Sequence, residues 1–187
     1  KVKFTSMDKG TRDDYDLIAV HDSENERSLV TRVIEWLKMM DGESPYKITR
    51  LQHSLQTATR AEADGADTET IVCALLHDIG DNLAPSNHAD FAATLLEPFV
   101  SDKNYWIVKH HGIFQGYYFF HYMGLDRNLR DQYKDHPHYA QTLEFIEKYD
   151  APAFDPDAEY YELSFFEPMM ERVFKEPRRS LYIKESA

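Results

Sequence analysis

No stretch of this chain sustains the every-second-residue alternation of a half-buried strand, whereas apolar residues recur at intervals of three and four along most of it. Stop and start signals cut that pattern into helix-sized pieces. Leu29, Val33, Ile34 and Leu37 share a face behind Ser23 or Asn25, either of which can cap, and Asp41-Gly42 stops this first helix. A second helix is expected from about Thr49 to Asp64, ended by Gly65, and a third, capped by Asp67 or Thr68, through Ile79 to Gly80. His88 opens a helix that continues to Glu97-Pro98. Asp102 caps the next, over Tyr105 to His111, and Gly112 ends it. Arg127 to Lys134 reads as a short helix, Pro137 starts one toward Tyr149-Asp150, and Glu167-Pro168 begins a last one that Pro177 stops. Lys1 to Asn25 has no steady period, with at most a short strand or extended arm at Val2-Lys3-Phe4. The expected fold is an all-α bundle.

The third of these helices ends in Ala74-Leu75-Leu76-His77-Asp78-Ile79-Gly80, an apolar run closed by adjacent His and Asp. A neutral nitrogen donor beside a carboxylate suits a metal that accepts both, and a carboxylate can bridge two metals because it has two oxygens. The pair would also be content as a buried hydrogen-bonded couple, so the remaining donors decide. His53, His88, His111 and Asp150 each fall at or near a helix end or on a polar helix face, with His110 as the alternative to His111. Helical metal sites are built from donors on several helices that converge on the bundle interior. Four imidazoles and two carboxylates exceed the four donors of a single zinc and suit two first-row metals. Imidazole with carboxylate favours iron over magnesium or calcium.

Composition narrows the partners. With 187 residues and a net charge of -12, the chain is long enough for one domain with a core and lacks the basic stripe of a nucleic-acid binder. It holds no apolar run long enough to span a membrane, and Lys1 to Gly10 lack the apolar segment of a signal peptide. Cys73 is the only cysteine, so a reducing cytoplasm is the expected location.

Three segments together resemble the HD-domain proteins: Leu51-Gln52-His53-Ser54-Leu55-Gln56-Thr57-Ala58, then Gly65-Ala66-Asp67, then Ala74 to Gly80. The pattern is most similar to their di-iron oxygenase branch, which includes the phosphonate-cleaving oxygenases and, more distantly, myo-inositol oxygenase. The resemblance implies one HD domain over 1–187, with an N-terminal arm and helix over about 1–45 and a metal-binding core over about 46–150. It further implies two irons, Fe(II)/Fe(III), with His53, His77 and Asp150 on one, His88 and His111 on the other, and Asp78 as the catalytic bridge. The chain also departs from these relatives. Asp81 stands where they often carry a His, and Gln115 stands where a Lys holds the anionic group. A Tyr and a Glu that guard the iron in the phosphonate-cleaving relative correspond in type, though not in spacing, to Tyr46 and Glu43; Tyr46 is accordingly a catalytic candidate.

This resemblance implies oxygen-dependent cleavage of the C–P bond of a small 1-hydroxyphosphonate, with O2 and the phosphonate as the small-molecule partners. Candidate substrate contacts are Gln115, Arg127 and Arg130 for the anionic end, and Tyr117 and Tyr149 among the rings. The 12 Tyr, 11 Phe and 2 Trp form an aromatic excess that suits a core packed with rings, and rings can also enclose a quaternary ammonium. That excess, with the missing Lys, points to 1-hydroxy-2-(trimethylammonio)ethylphosphonate as substrate and glycine betaine and phosphate as products. The competing expectation is a metal-dependent HD phosphohydrolase acting on a nucleotide or phosphate monoester. Gly116-Tyr117-Tyr118 after His110-His111 fails to reproduce the Gly-Tyr-Pro motif of one such class.

Overall fold

The structure, a computed structural model, describes residues 1–180. Among them there is no strand; the chain is helical, with eight α-helices: α1 Arg12–Arg27, α2 Leu29–Lys38, α3 Arg50–Ala63, α4 Thr68–Leu76, α5 His88–Leu96, α6 Asp102–Gln115, α7 Tyr139–Phe145 and α8 Leu163–Val173. The all-α expectation therefore holds.

Helix α4 is the axis of the bundle. It packs against α3, α6 and α8, and every residue from Ile71 to Gly80 is buried. Its apolar stretch accounts for that position, since Leu75 and Leu76 are fully buried and a side chain of this size gains about 1.5–3 kcal/mol on leaving water. Small residues let α3 approach closely: Ala58 and Ala61 on α3 and Ala74 on α4 are all inaccessible to solvent. Helix α5 packs on α6, and α6 on α7.

The caps explain the helix starts. Thr49 and Gln52 form a reciprocal capping box at α3, and the Asp67 side chain accepts from Thr70 N at α4. At the end of α3, Gly65 takes φ +76, a left-handed conformation that favours glycine.

Several boundaries differ from the expected ones. Residues 12–27 form a helix, not an arm, begun by a capping box between Thr11 and Asp14, and Ser23 and Asn25 lie inside it. Phe4 stacks on Tyr15, and Lys3 N donates to Asp14, so Val2-Lys3-Phe4 is held by α1 and forms no strand. Helix α4 stops at Leu76, and tight turns carry the chain from His77 to Leu83. Ser101, not Asp102, caps α6, and the helix continues through Gly112 to Gln115. The last helix begins four residues before Glu167 and accommodates Pro168 in its interior. Residues 129–133 form a 3-10 turn in place of a regular helix. After Phe145 the chain widens into a π turn, Ile146–Asp150, closed by Ala151 N donating to Ile146 O at 2.9 Å. Asp150 sits at its end.

Candidate metal centre

Five elements deliver the six expected donors to one place. His53 comes from the first turn of α3, His77 and Asp78 from the turn after α4, His88 from the start of α5, His111 from α6, and Asp150 from the π turn. The imidazole Nε2 atoms of His53 and His77 are 3.2 Å apart, and Asp150 Oδ1 lies 3.3 and 3.6 Å from them. On the other side, His88 Nε2 and His111 Nε2 are also 3.2 Å apart. Asp78 stands between the pairs. Its Oδ2 lies 3.4 Å from both His53 Nε2 and His77 Nε2, while its Oδ1 lies 3.1 Å from His111 Nε2 and 3.4 Å from His88 Nε2.

The far side of each ring decides what these nitrogens can do. The Nδ1 atoms of His53, His77 and His111 meet the backbone carbonyls of Ala153, Ala74 and Val108 at 2.9, 2.7 and 2.6 Å. A carbonyl only accepts, so each Nδ1 donates, and in the neutral ring Nε2 presents a lone pair to the centre. Two lone pairs at 3.2 Å repel unless a cation lies between them. Donors bound to one ion at about 2.1 Å stand about 3.0–3.4 Å apart for right-angled to tetrahedral geometry, and most of the spacings above fall in that range. Asp150 Oδ2 is buried with no hydrogen-bond partner among the described residues, an orphan that a cation would satisfy. The residues fit a metal.

Electrostatics agree. Burial opposes ionisation of Asp78, but His77 and His111 beside it hold its carboxyl well below the usual range. Asp150 is likewise lowered against its burial, by His77 and His53. Both stay carboxylates. Burial disfavours the His53 cation, yet hydrogen bonds to Asp150 and Asp78 outweigh it and raise its pKa to about 9. In the bare protein, therefore, a proton on His53 fills the role that an ion would take. His88 goes the other way, lowered to about 4 by burial and by neighbouring His111.

A match to the HD domain family model covers residues 50–151, from the base of α3 to just past Asp150. The chain belongs to the HD-domain family. No match is found among curated proteins. HD domains bind divalent metals and their superfamily is typically one of metal-dependent enzymes, so a buried His/Asp cluster that could hold metal is in character.

The surroundings of the HD centre differ from the expected ones. Gln115 Nε2 donates to Asp150 Oδ1 at 2.7 Å, so it grips a candidate ligand as well as lining the adjacent cavity. That cavity, about 510 Å³, opens among Tyr46, Tyr118, Phe119 and Phe154, with Glu147 and Gln115 in its wall. Phe154 stacks on His53 with ring centres 4.2 Å apart, which ties the cavity to the centre. Tyr46 lies against Phe154, at 4.9 Å, and Arg50, at 5.4 Å, both of which touch the centre. Tyr117 is turned to two guanidinium groups, Arg127 at 4.1 Å and Arg130 at 3.8 Å from its ring centre. Tyr149 points elsewhere: its hydroxyl donates to Asp64 at 2.8 Å. Trp106 is stacked between His110 and His136.

The aromatic run that holds Tyr118 and Phe119 was a sequence candidate for such rings, whereas sequence reasoning passed over Arg50 and Phe154. The Arg50 guanidinium contacts Asp78 Oδ2 at 3.0 Å and also Asp81 Oδ2, whose other oxygen is 3.4 Å from His88 Nδ1. One signal was readable: Arg50 precedes His53 by three residues and so shares its helix face.

Proposed function

We propose that this HD-domain chain is a di-iron oxygenase that uses O2 to cleave the C–P bond of a small 1-hydroxyphosphonate. The observation that carries the reading is the division of Asp78 between two histidine pairs, one oxygen to each. A single-ion hydrolytic centre needs no such arrangement, and imidazole-rich donor sets favour iron over oxygen-loving divalent ions. The favoured substrate is 1-hydroxy-2-(trimethylammonio)ethylphosphonate, cleaved to glycine betaine and phosphate. Four rings, Tyr46, Tyr118, Phe119 and Phe154, surround a cavity that also carries the Glu147 carboxylate, and both features attract a cation. For the anionic end, Arg127 and Arg130 supply positive charge beside the same segment. Among the described residues neither makes an ion pair, and Arg130 Nη1 is buried without a hydrogen-bond partner.

The iron pair would be held by His53, His77, Asp150 and Asp78 on one side and by His88, His111 and Asp78 on the other. When bound, it would supply O2 activation and a Lewis-acidic seat for the substrate hydroxyl and phosphonate. The chain's own contribution is positional. The carbonyls behind His53, His77 and His111 fix which nitrogen faces the centre, Gln115 holds Asp150, and the aromatic wall limits water around the ammonium. The reaction balances without an external reductant. Substrate and O2 together contain the six oxygens of glycine betaine and phosphate, so both atoms of O2 appear in products.

The test is oxygen uptake with iron-loaded protein and this phosphonate. One phosphate released per O2 consumed supports the reading, and incorporation from labelled O2 into products strengthens it. Release of phosphate from a nucleotide or phosphate monoester without oxygen, with no oxygen uptake on any hydroxyphosphonate, would establish the HD phosphohydrolase instead.

A further inference from the structure

Three of the four candidate histidines are anchored by backbone carbonyls. His88 is the exception. Its Nδ1 faces a side chain, Asp81 Oδ1 at 3.4 Å, and its own side chain is 27% exposed where those of His53, His77 and His111 are 0–1% exposed. Asp81 is in turn gripped by Arg50, which reaches Asp78 with the same nitrogen.

We propose that Arg50 and Asp81 form a strap that positions His88 and thereby controls occupancy of the second metal position, the one between His88, His111 and Asp78 Oδ1. This inference rests on the two-metal reading above and adds residues to it.

Several observations make the strap specific to that position. The first position has four protein donors, from His53, His77, Asp150 and Asp78, all buried. The second has three, and the most exposed of them opens α5 behind the loop from Asn82 to Asn87. With fewer donors, the second position loses a larger share of its affinity when one is misaimed. A carboxylate partner orients an imidazole and raises the basicity of the nitrogen opposite, as carbonyls do for the other three rings.

Arg50 has two tasks in this arrangement. It neutralises the mutual repulsion of Asp78 and Asp81, which lie three residues apart in the same turn. It also draws on Asp78 Oδ2, the oxygen directed at the first position, and leaves Oδ1 to the second. Without Arg50, Asp81 would be free to swing toward solvent and His88 would lose its orienting partner.

Gly80 sets the spacing of the strap. A Cβ at this position would meet His88 O at 2.7 Å and His88 Cα at 2.8 Å, so only glycine lets the turn carrying Asp81 lie against the start of α5.

The experiment loads wild type, Asp81→Asn, Arg50→Gln and Arg50→Lys with Fe(II) anaerobically. Iron per chain is then measured after desalting, and stepwise affinity by titration. Wild type should hold about two ions per chain. Asp81→Asn should keep the first at unchanged affinity and bind the second roughly 10–100-fold more weakly, and Arg50→Gln, which also frees Asp78 Oδ2, should weaken the second more than the first. Arg50→Lys, which keeps the charge, should recover part of the loss. A fold disturbance would weaken both ions together, so equal loss of both overturns the proposal. Two ions at wild-type affinities in Asp81→Asn and Arg50→Gln overturn it as well, and leave the two-metal reading standing. A wild type that holds only one ion overturns both.

Discussion

Gln115 and Asp150 lie 35 residues apart in the chain, yet the amide of one donates to the carboxylate of the other at 2.7 Å. The end of α6 thus steadies the last candidate ligand, and α6 also supplies His111. Replacing Gln115 with Leu removes this donor while preserving much of the volume. Metal affinity should fall about 10–100-fold, as is usual when a ligand loses its supporting hydrogen bond. Elemental analysis after loading, with circular dichroism to show the helices intact, checks this.

Metal binding should release protons. Without an ion, His53 has a pKa raised to about 9, so it carries a proton at pH 7.5 that an incoming ion must displace. Affinity should therefore climb with pH up to about 9. His88, lowered to about 4, is already neutral in that range and contributes nothing. The same shift has a consequence for the metal-free protein. Because the folded pKa of His53 exceeds the unfolded value near 6.5, its stabilising share is complete below that pH and vanishes as pH rises through 9. Calorimetry in buffers of different ionisation enthalpy measures the first effect, and melting of chelator-treated protein from pH 6 to 10 the second.

Rings around the cavity should matter for a cationic substrate. Tyr46→Ala or Phe119→Ala should each raise KM for the trimethylammonio phosphonate about 2–30-fold, the equivalent of roughly 0.5–2 kcal/mol per ring. Steady-state oxygen uptake gives the value. An analogue in which a neutral tert-butyl group replaces the trimethylammonium should show little of that difference, which separates charge recognition from simple packing.

Gly80→Ala should destabilise the protein, because the new methyl would press on the backbone of His88 rather than on a side chain able to move aside. Overpacking of this kind costs about 1–3 kcal/mol, and for a chain of this length each kcal/mol lowers Tm by about 2–4 °C. Differential scanning calorimetry provides the comparison.

What the sequence disclosed followed from where its physical signals are local. Asp67 before Thr68 and Gly65 after α3 mark helix ends through contacts within a few residues, so those boundaries were readable. Helix α1 was missed because apolar periodicity was sought, and α1 buries only Asp14; its Thr11-Asp14 capping box was the available sign. Gly112 misled in the opposite direction, since the cost of glycine inside α6 is offset by burial of its neighbours His111 and Phe114. The donors now grouped around Asp78 had been separated out by their spacing and resemblance. Arg50 had not, because one arginine among 21 basic residues shows its partner only when α3 is laid against α4. The directions of Tyr117, toward Arg127 and Arg130, and of Tyr149, toward Asp64, were not readable either, because they depend on irregular turns.

The π turn that ends in Asp150 makes the chain sensitive to counting. One residue of an α-helix corresponds to about 100° of rotation, and the wide turn Ile146–Asp150 adds a residue to a single turn at the place where a carboxylate must face inward. Shortening Tyr139–Asp150 by one residue would leave every donor in the sequence, in its original order, yet swing the last one out of reach. A homologue with all six donors intact but a different length here would be a poor candidate for the same chemistry, whatever its motifs.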